Sequence, residues 1–245
     1  MTRITLGIRY DGSAYHGWQV QKGHRTVQGE VERALSTVAD HTVSVFCAGR
    51  TDTGVHAIGQ VVHFDTTSYR SRHAWVFGAN SNLPSDISIL WAKEVGEHFH
   101  ARFSAQARRY RYVIYNHEIR PGILRKAVGW YYRPLDENRM RMAAQYFIGK
   151  HDFRSFQGAS CQSQTSVRTI FQIEIFRIRR MVVIDVRGNS FLLHMVRNIV
   201  GVLVAVGSGE KKPEWAEIVL KAKDRRQGGV TVSPNGLYLV EVTYP

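Results

Sequence analysis

One acidic residue of this chain stands in a setting suited to chemistry. Asp52 lies in segment 49–57 (GRTDTGVHA), two residues after Arg50 and between two segments rich in β-branched and aromatic residues. A neighbouring arginine favours the ionised form of a carboxylate, and an ionised carboxylate in a loop is a candidate nucleophile or base. A hairpin loop with a local ion pair would contain the same residues, so the segment alone leaves both interpretations open.

Positive charge is concentrated in the second part of the chain. The 245 residues include 33 Lys and Arg against 20 Asp and Glu, a net charge of +13. Residues 1–104 hold 10 basic and 9 acidic residues, whereas residues 105–245 hold 23 and 11. Aromatic residues are interleaved with this charge at 108–112 (RRYRY) and 130–133 (WYYR). Such a mixture suits the phosphates and unstacked bases of RNA, with a solubilising basic surface as the alternative.

Composition argues against several other classes of protein. A hydrophobic content of 44% is enough for a folded core. The two cysteines, Cys47 and Cys161, offer neither a disulfide framework nor a zinc-knuckle spacing. His98 and His100 form an H-x-H pair without a third ligand, so no metal site is predicted, and no Walker loop or dinucleotide fingerprint indicates a cofactor. The chain begins without the apolar run of a signal peptide, and its most apolar segment, 191–206, is too short to span a bilayer. We therefore expect a soluble cytoplasmic protein without membrane attachment.

The predicted order of strands and helices occurs twice. The first half has a strand at 3–10, a helix capped by Thr26, strands at 43–47 and 58–64, a helix at 71–79 and a strand at 87–95. The second half has a strand at 105–116, a helix capped by Asp136 and ended by Gly149, a hairpin of strands at 167–179 and 181–187, helices at 191–206 and 213–222, and a strand at 237–244.

Each half therefore has a β-α-β-β-α-β order, which predicts an α+β protein built from two ferredoxin-like, RRM-like halves, 1–104 and 105–245. We expect the antiparallel sheets of these halves to lie side by side around a central RNA-binding cleft. In this arrangement the Asp52 loop would stand at the centre of the cleft.

Five sequence blocks resemble the TruA family of tRNA pseudouridine synthases. They are segments 49–57, 99–104 (FHARFS), 108–112, 194–201 (HMVRNIVG) and 236–240 (GLYLV). The blocks follow the order of the family and extend over nearly the whole chain. Two departures, Thr53 in place of a common alanine and an altered segment at 230–234 (VTVSP), leave the acid untouched.

The resemblance implies isomerisation of uridine to pseudouridine at positions 38, 39 and 40 of tRNA, in the anticodon stem-loop. The bond from ribose to the base nitrogen is broken and, after the uracil rotates, a carbon–carbon bond is made without a cofactor. The resemblance further implies a homodimer that binds tRNA. Residues 1–104 would then carry the catalytic aspartate, and the basic residues 105–245 the active-site tyrosine and arginine.

The resemblance also assigns roles to single residues. Asp52 is the catalytic carboxylate, and attack on ribose C1′, addition to the uracil ring and abstraction of the 2′ proton all remain open. Tyr110 stacks on the flipped uracil, and its hydroxyl is a candidate for removing the proton from base C5. Alternatively, Tyr110 is one strand aromatic in a row, sharing a face with Tyr112 and opposite to Tyr115. Arg50 assists the flipping of the base out of the stack.

Arg197 lies in an otherwise apolar helical segment, where a charge requires a partner. The resemblance implies Asp52 as that partner, and a buried pair with Asp185 is the alternative. The candidates for tRNA binding share basic or polar side chains. They are Arg70, His100, Arg102, Arg108, Arg109, Gln162, Gln164 and Arg168, and each basic one is alternatively a solvated surface charge.

Two rival functions fit the sequence less well. A non-catalytic RNA-binding protein of paired RRM-like halves would carry the aromatic RNP pattern, which is missing, and would not need the Asp52 loop. An RNA hydrolase would need a metal site or an acid–base pair, and neither is evident. The sequence therefore predicts a tRNA pseudouridine synthase.

Overall fold

The computed structural model describes residues 1–245 and divides into two units. Unit 1 comprises Met1–Gln106 together with Tyr238–Pro245, and unit 2 comprises Ala107–Leu237. The division by sequence assigned the last strand to the second half. In the structure that strand pairs in parallel with the strand His56–Thr66 of unit 1, so residues from Tyr238 onward belong to unit 1.

Unit 1 contains a mostly antiparallel sheet. Its strands are β1 (Thr2–Tyr10), β2 (Phe46–Cys47), β3 (His56–Thr66), β4 (Ile87–Val95) and β10 (Leu237–Thr243). Strand β1 lies between β3 and β4 and is antiparallel to both. The other edge of β3 pairs with β2 at His63 and with β10 at His56, and this edge frames the loop that joins β2 to β3.

The predicted strand at 43–47 is wrong over most of its length, since only Phe46 and Cys47 pair with β3. The backbone N–H groups of Val43 and Val45 instead donate to side chains of the preceding helix, Ser36 and Glu32, at 2.9 Å each. These hydrogen bonds satisfy the backbone N–H groups without strand pairing. An alternating sequence pattern does not reveal such side-chain partners.

Two helical segments belong to unit 1. Helix α1 (Val27–Ala39) begins at the predicted cap, where Thr26 accepts the N–H of Gly29, and it buries Val27, Val31 and Leu35. The predicted helix at 71–79 is helical over 72–80 and includes a π-helical segment, Ala74–Gly78. Trp75 of that segment is buried with its ring centroid 5.2 Å from that of Phe64 on β3.

Within unit 2 the strands are mostly antiparallel and pair in the order β6–β5–β9–β8–β7. Its strands are β5 (Ala107–Asn116), β6 (Gly129–Tyr131), β7 (Gly149–Asp152), β8 (Val167–Ile178) and β9 (Met181–Gly188). Only the pairing of β5 with β6 is parallel. Along β5 the buried positions alternate, with Tyr110 and Tyr112 on the buried face and Tyr115 half-buried on the other, as predicted.

Three helices complete unit 2: α2 (Glu137–Gln145), α3 (Met195–Gly207) and α4 (Trp215–Ala222). Asp136 caps α2 as predicted and accepts the N–H groups of Asn138 and Arg139. Helix α2 ends before the predicted stop at Gly149, which has φ of 106° and begins β7. Helix α3 begins later than predicted, because His194 adopts a left-handed conformation with φ of 61°. No helix combines the length and apolar character that crossing a membrane requires. The α+β class is confirmed.

Candidate active site

The loop that carries Asp52 is held in place by residues from other parts of unit 1. The N–H of Trp18 donates to the carbonyl oxygen of Thr51 at 2.9 Å. The hydroxyl groups of Tyr10 and Thr51 lie 2.8 Å apart and share a hydrogen bond. Within the loop, the N–H of Val55 donates to the carbonyl oxygen of Asp52 at 3.1 Å. The backbone on both sides of Asp52 is therefore fixed, as a preorganised catalytic group requires.

The start of the loop is bound by Gln60, a fully buried amide on β3. Its Nε2 donates to the carbonyl oxygen of Gly49 at 2.7 Å, and its Oε1 accepts the N–H of Gly49 at 3.4 Å. One side chain thus satisfies both backbone groups of Gly49. Gln60 was not among the predicted site residues, because its position opposite Gly49 follows from the turn between β2 and β3.

Two glycines allow the chain after β1 to approach the Asp52 loop closely. Gly17 has φ of 79°, and a Cβ there would lie 2.7 Å from the carbonyl oxygen of Thr51. A Cβ at Gly12 would overlap the carbonyl oxygen of Val55. Only glycine is compatible with these contacts, so both positions belong to the support of the loop.

His56 closes the loop at the start of β3. Its ring is buried, accepts the N–H of Gly12 at Nδ1 and lies 3.1 Å from Oδ1 of Asp11. The same ring stacks on Tyr238 at a centroid distance of 4.7 Å. His56 therefore supports the loop through contacts with the chain after β1 and with β10. By contrast, Asp52 is half-buried and Arg50 is exposed, so both residues are at least partly accessible to solvent.

Tyr110 and Tyr112 share the buried face of β5 but differ in their contacts. The ring of Tyr110 meets Phe191 edge to face at a centroid distance of 5.1 Å. The hydroxyl of Tyr112 donates to the carbonyl oxygen of Ser233 at 2.8 Å, and burial raises its pKa. Tyr112 is therefore a structural residue, whereas the ring of Tyr110 is oriented by another ring.

Arg197 lies in the first turn of α3, half-buried, and its Nε donates to the carbonyl oxygen of Val232 at 2.8 Å. The alternative pairing of Arg197 with Asp185 is wrong. Both oxygens of the buried Asp185 are held by other guanidinium groups, Oδ1 by Arg109 at 2.6 Å and Oδ2 by Arg111 at 2.8 Å.

The predicted tRNA-binding residues fall into three groups by exposure. Arg70, Arg102, Gln162 and Gln164 are exposed, His100 and Arg109 are half-buried, and Arg108 and Arg168 are buried. The guanidinium of Arg108 donates to the carbonyl oxygen of Asn189 at 2.8 Å. The exposed residues are accessible to a phosphate, whereas the guanidinium groups of the buried Arg108 and Arg168 donate to backbone carbonyl oxygens.

Arg168 organises the segment around residues 163–167. It donates to the carbonyl oxygens of Thr165 and Val167 and to the hydroxyl of Ser163. Its Nε is buried without a hydrogen-bond partner, and burial lowers the pKa of the guanidinium. A surface-charge interpretation of Arg168 is therefore wrong.

The positive charge of the chain resides in unit 2. Unit 1 contains 10 basic and 10 acidic residues, whereas unit 2 contains 23 and 10. The net charge of +13 is thus carried by unit 2 alone. A charge gathered on one unit is what binding to a polyanion requires.

An α+β protein with a braced aspartate loop and a strongly basic unit has the features of an RNA-acting enzyme. A family model described as tRNA pseudouridine synthase matches residues 8–104 and 143–245. The chain belongs to this tRNA pseudouridine synthase family. It is accordingly an isomerase that converts uridine of tRNA to pseudouridine.

Several relatives named tRNA pseudouridine synthase A support this placement. The protein of Coxiella burnetii strain Dugway 5J108-111 is 78% identical over 245 residues, which cover 100% of this chain and 94% of the relative. The protein of Pseudomonas aeruginosa PAO1 is 57% identical over 246 residues, covering 100% and 86%. Among solved structures, the Cbf5-Nop10-Gar1 complex is similar over 96% of this chain and 57% of the matched chain, with a TM-score of 0.42 and 9% identity.

Proposed function

We propose that the protein isomerises uridine to pseudouridine at positions 38, 39 and 40 of the tRNA anticodon stem-loop, with Asp52 as the catalytic carboxylate. The observation that carries this proposal is the support of the Asp52 loop, whose backbone is bonded by Trp18 and Gln60 and whose Thr51 hydroxyl is bonded by Tyr10. A carboxylate that is half-exposed on a backbone held at both ends is suited to act on a bound nucleotide.

The reaction exchanges one bond for another within the same nucleotide. The bond from ribose C1′ to base N1 breaks, the uracil rotates, and a bond from C1′ to base C5 forms. The proton on C5 leaves and N1 takes up a proton, so the product is an isomer of the substrate. Asp52 serves this exchange by attacking C1′, by adding to the ring or by taking the 2′ proton. A primary isotope effect with ribose deuterated at C2′ is expected only for the third route, so its absence would remove that route.

Tyr110 is proposed to stack on the uracil. The edge-to-face contact with Phe191 supports this role, because it fixes the plane of a ring whose face can then meet a base. Tyr110→Phe keeps the ring, so we expect it to retain substrate affinity. Loss of binding in that variant, measured by fluorescence titration with tRNA, would contradict the stacking role.

Arg50 and Arg197 are proposed to bind the substrate as cations. Arg50 is exposed two residues before Asp52, which suits a side chain that fills the space of a displaced base. Arg197 has its guanidinium oriented through Nε by the carbonyl oxygen of Val232, which suits a fixed positive charge. Replacement of either by glutamine is expected to raise KM in steady-state assays, and an unchanged KM would contradict the assignment.

The two halves are proposed to be ferredoxin-like, with Asp52 in residues 1–104 and Tyr110 and Arg197 in residues 105–245. The strand order β4–β1–β3–β2 of unit 1, with helical segments after β1 and β3, supports this for the first half. For the second half, the order β5–β9–β8 with α2 after β5 and α3 after β9 supports it. We further propose that the protein is a cytoplasmic homodimer that flips the target base.

The proposed function is tested with unmodified tRNA that carries tritium at C5 of uracil. The wild-type protein is expected to release tritium, since the C5 proton leaves when the carbon–carbon bond forms. Asp52→Asn should abolish release while tRNA affinity stays within severalfold. Asp40→Asn is the matched control, because Asp40 is an exposed aspartate of the same unit in a left-handed conformation that asparagine tolerates. Full release by Asp52→Asn would refute the assignment of Asp52.

A wild-type protein that binds tRNA but releases no tritium would favour the rival function. That outcome would identify a non-catalytic RNA-binding protein of RRM-like halves. Sequencing the product tRNA for pseudouridine then tests the positions. Pseudouridine confined to sites outside 38, 39 and 40 would contradict the proposed target.

A further inference from the structure

Four side-chain rings of unit 1 contact one another in a continuous group, and none of them belongs to the Asp52 loop. The ring centroid of Phe46 lies 5.1 Å from that of His63 and 5.6 Å from that of His100. The ring of His100 lies 4.6 Å from His63 and 4.3 Å from Phe103. We call Phe46, His63, His100 and Phe103 the ring cluster. His63 is buried at its base, whereas Phe46 is 54% and Phe103 is 74% exposed.

The ring cluster rests on a rigid support. The N–H of Ala101 donates to Nδ1 of His63 at 3.1 Å, and the hydroxyl of Tyr244 donates to the carbonyl oxygen of Ala101 at 2.7 Å. Arg3 holds the carbonyl oxygen of Phe99 at 2.8 Å. Ala101 itself is fully buried in a small hydrophobic cluster. Segment 99–101 is therefore fixed to the sheet from both sides.

His100 fixes the two residues that follow it. Its Nδ1 accepts the N–H groups of Arg102 and Phe103 at 3.1 and 3.3 Å, and its own N–H donates to Ser104. The turn therefore presents the Phe103 ring in a set position. An exposed aromatic ring on a mobile side chain is common, but two such rings on an ordered support indicate a contact surface.

Arginines border the exposed rings. The guanidinium carbon of Arg102 lies 5.5 Å from the ring centroid of Phe103. Arg50 and Arg102 both act electrostatically on the thiol of Cys47, the residue after Phe46, although burial dominates and raises the pKa of that thiol to about 12. Burial, together with Arg3 and Arg102, lowers the pKa of His100, so its ring is neutral at pH 7. The positive charge beside the rings thus comes from arginines.

We infer that the ring cluster is a stacking platform for an unpaired base of the tRNA substrate, with Arg102 binding the adjacent phosphate. This inference rests on the proposed function, because it takes tRNA as the partner. A nucleotide supplies both a flat π face and a negative charge, which matches exposed rings bordered by arginines. An apolar protein surface would match the rings but not the arginines.

The platform lies close to the residue proposed to displace the target base. Phe46 precedes Arg50 by four residues, which limits the separation of their Cα atoms to about 13 Å. We therefore assign the platform to an unpaired nucleotide a short distance along the RNA from the target uridine.

The platform is tested with an RNA hairpin that carries 2-aminopurine at each loop position in turn, and with a fully paired duplex of equal length. Wild-type protein is expected to quench 2-aminopurine at one or two loop positions, because stacking quenches its fluorescence. Phe46→Leu and Phe103→Leu keep apolar side chains but remove the π face. Each should weaken hairpin binding about 5- to 100-fold, abolish the quenching and leave duplex binding unchanged.

Phe77→Leu is the matched control. Phe77 is 61% exposed in the same unit, and its ring stacks on His73 at a centroid distance of 4.4 Å. Its exposure and its histidine partner are similar to those of Phe46 and Phe103, but it does not belong to the ring cluster. Its hairpin affinity should stay within twofold of wild type. Unchanged hairpin affinity in both platform variants, or an equal loss for hairpin and duplex, would overturn the inference.

Three further outcomes are distinguished with the same protein variants. If the platform variants dissociate a dimer in sedimentation equilibrium while hairpin affinity is unchanged, the rings contact a second copy of the chain and the inference is overturned. If wild-type protein releases no tritium but the platform variants still lose hairpin binding and quenching, the platform stands and the proposed catalytic role fails. If tritium is released normally and quenching is absent, only the platform fails.

Discussion

His63 illustrates at the scale of one residue how burial decides ionisation. Burial is the largest cause, and together with the neighbouring His100 and Arg3 it lowers the pKa of His63 from 6.5 to about 4. The neutral ring accepts the N–H of Ala101 at Nδ1, which protonation of that atom would prevent. Because the folded-state pKa lies below the unfolded value, protons bind preferentially to the unfolded chain. The stability from this residue is complete above about pH 6.5 and is lost as the pH falls toward 4.

We expect the free energy of unfolding to fall by about 2 kcal/mol through His63 between about pH 7.5 and about pH 5. His63→Gln keeps an acceptor for Ala101 without a titrating group, so its stability should depend less on pH over this range. Urea unfolding at both pH values measures the difference. His98→Gln, at a fully solvated histidine, is the control and should follow wild type. Equal pH dependence in His63→Gln and wild type would contradict the prediction.

At the scale of elements, the position of Asp52 depends on three parts of unit 1. Tyr10 ends β1, Trp18 follows it in the connection to α1, and Gln60 lies on β3. Trp18 and Gln60 donate to backbone carbonyl oxygens of the Asp52 loop, and Tyr10 shares a hydrogen bond with the hydroxyl of Thr51. The loop is therefore held by the sheet that supports it, and a change in the connection after β1 should reach Asp52, the proposed catalytic residue.

Gly17→Ala tests this dependence. A left-handed alanine costs about 1–2 kcal/mol, and the added Cβ would also press on the carbonyl of Thr51. We expect lower stability in urea unfolding and lower kcat in the tritium assay. Gly23→Ala is the matched control, because Gly23 has φ of 78° and open space around it. Gly23→Ala should lower the free energy of unfolding, because of its left-handed alanine, but should leave kcat unchanged. An equal loss of kcat in both variants would contradict the proposed dependence of Asp52 on the chain after β1.

At the scale of the whole molecule, the excess positive charge and the proposed catalytic carboxylate belong to different units of the chain. Unit 1 carries Asp52 and has equal numbers of basic and acidic residues, whereas unit 2 carries an excess of 13 basic residues. Affinity for the RNA backbone should therefore come mainly from unit 2. The proposed catalytic carboxylate lies in the unit without net charge, whereas the proposed substrate-binding residues Tyr110 and Arg197 belong to the basic unit.

Binding of tRNA should depend steeply on salt. Each phosphate neutralised by the protein releases counterions, so three contacts predict roughly a 40-fold rise in Kd between about 50 and 200 mM KCl. Filter binding or fluorescence anisotropy over this range gives the slope. A Kd that changes less than twofold would contradict a phosphate-binding role for the basic unit.

The proposed homodimer is also testable on the intact protein. Sedimentation equilibrium at micromolar concentration is expected to give twice the 27.9 kDa of the chain. Addition of tRNA then reports how many protein chains bind one RNA. A mass of one chain at all concentrations, with full tritium release, would contradict the dimer while leaving the proposed activity intact.

Features set by neighbours in sequence were predicted well. Thr26 and Asp136 mark helix starts because a side-chain cap acts within three residues. Strand β4 was predicted at its observed bounds, and alternation placed Tyr110 and Tyr112 on one face of β5. Strands β6 and β7, of three and four residues, were not predicted, because such short segments carry no alternation to recognise.

The sequence by itself determined the family, the isomerase activity, the α+β class and the excess of positive charge, because these depend on residue types and their order. The tertiary structure decided which side chains brace Asp52, which arginines reach solvent and to which unit the last strand belongs. Arg102 and Arg168 show the difference: both were predicted to contact tRNA, yet Arg102 is exposed and Arg168 is bound to carbonyl oxygens of its own loop. The burial of a side chain and its hydrogen-bond partners depend on contacts between distant parts of the chain, and no local sequence pattern encodes them.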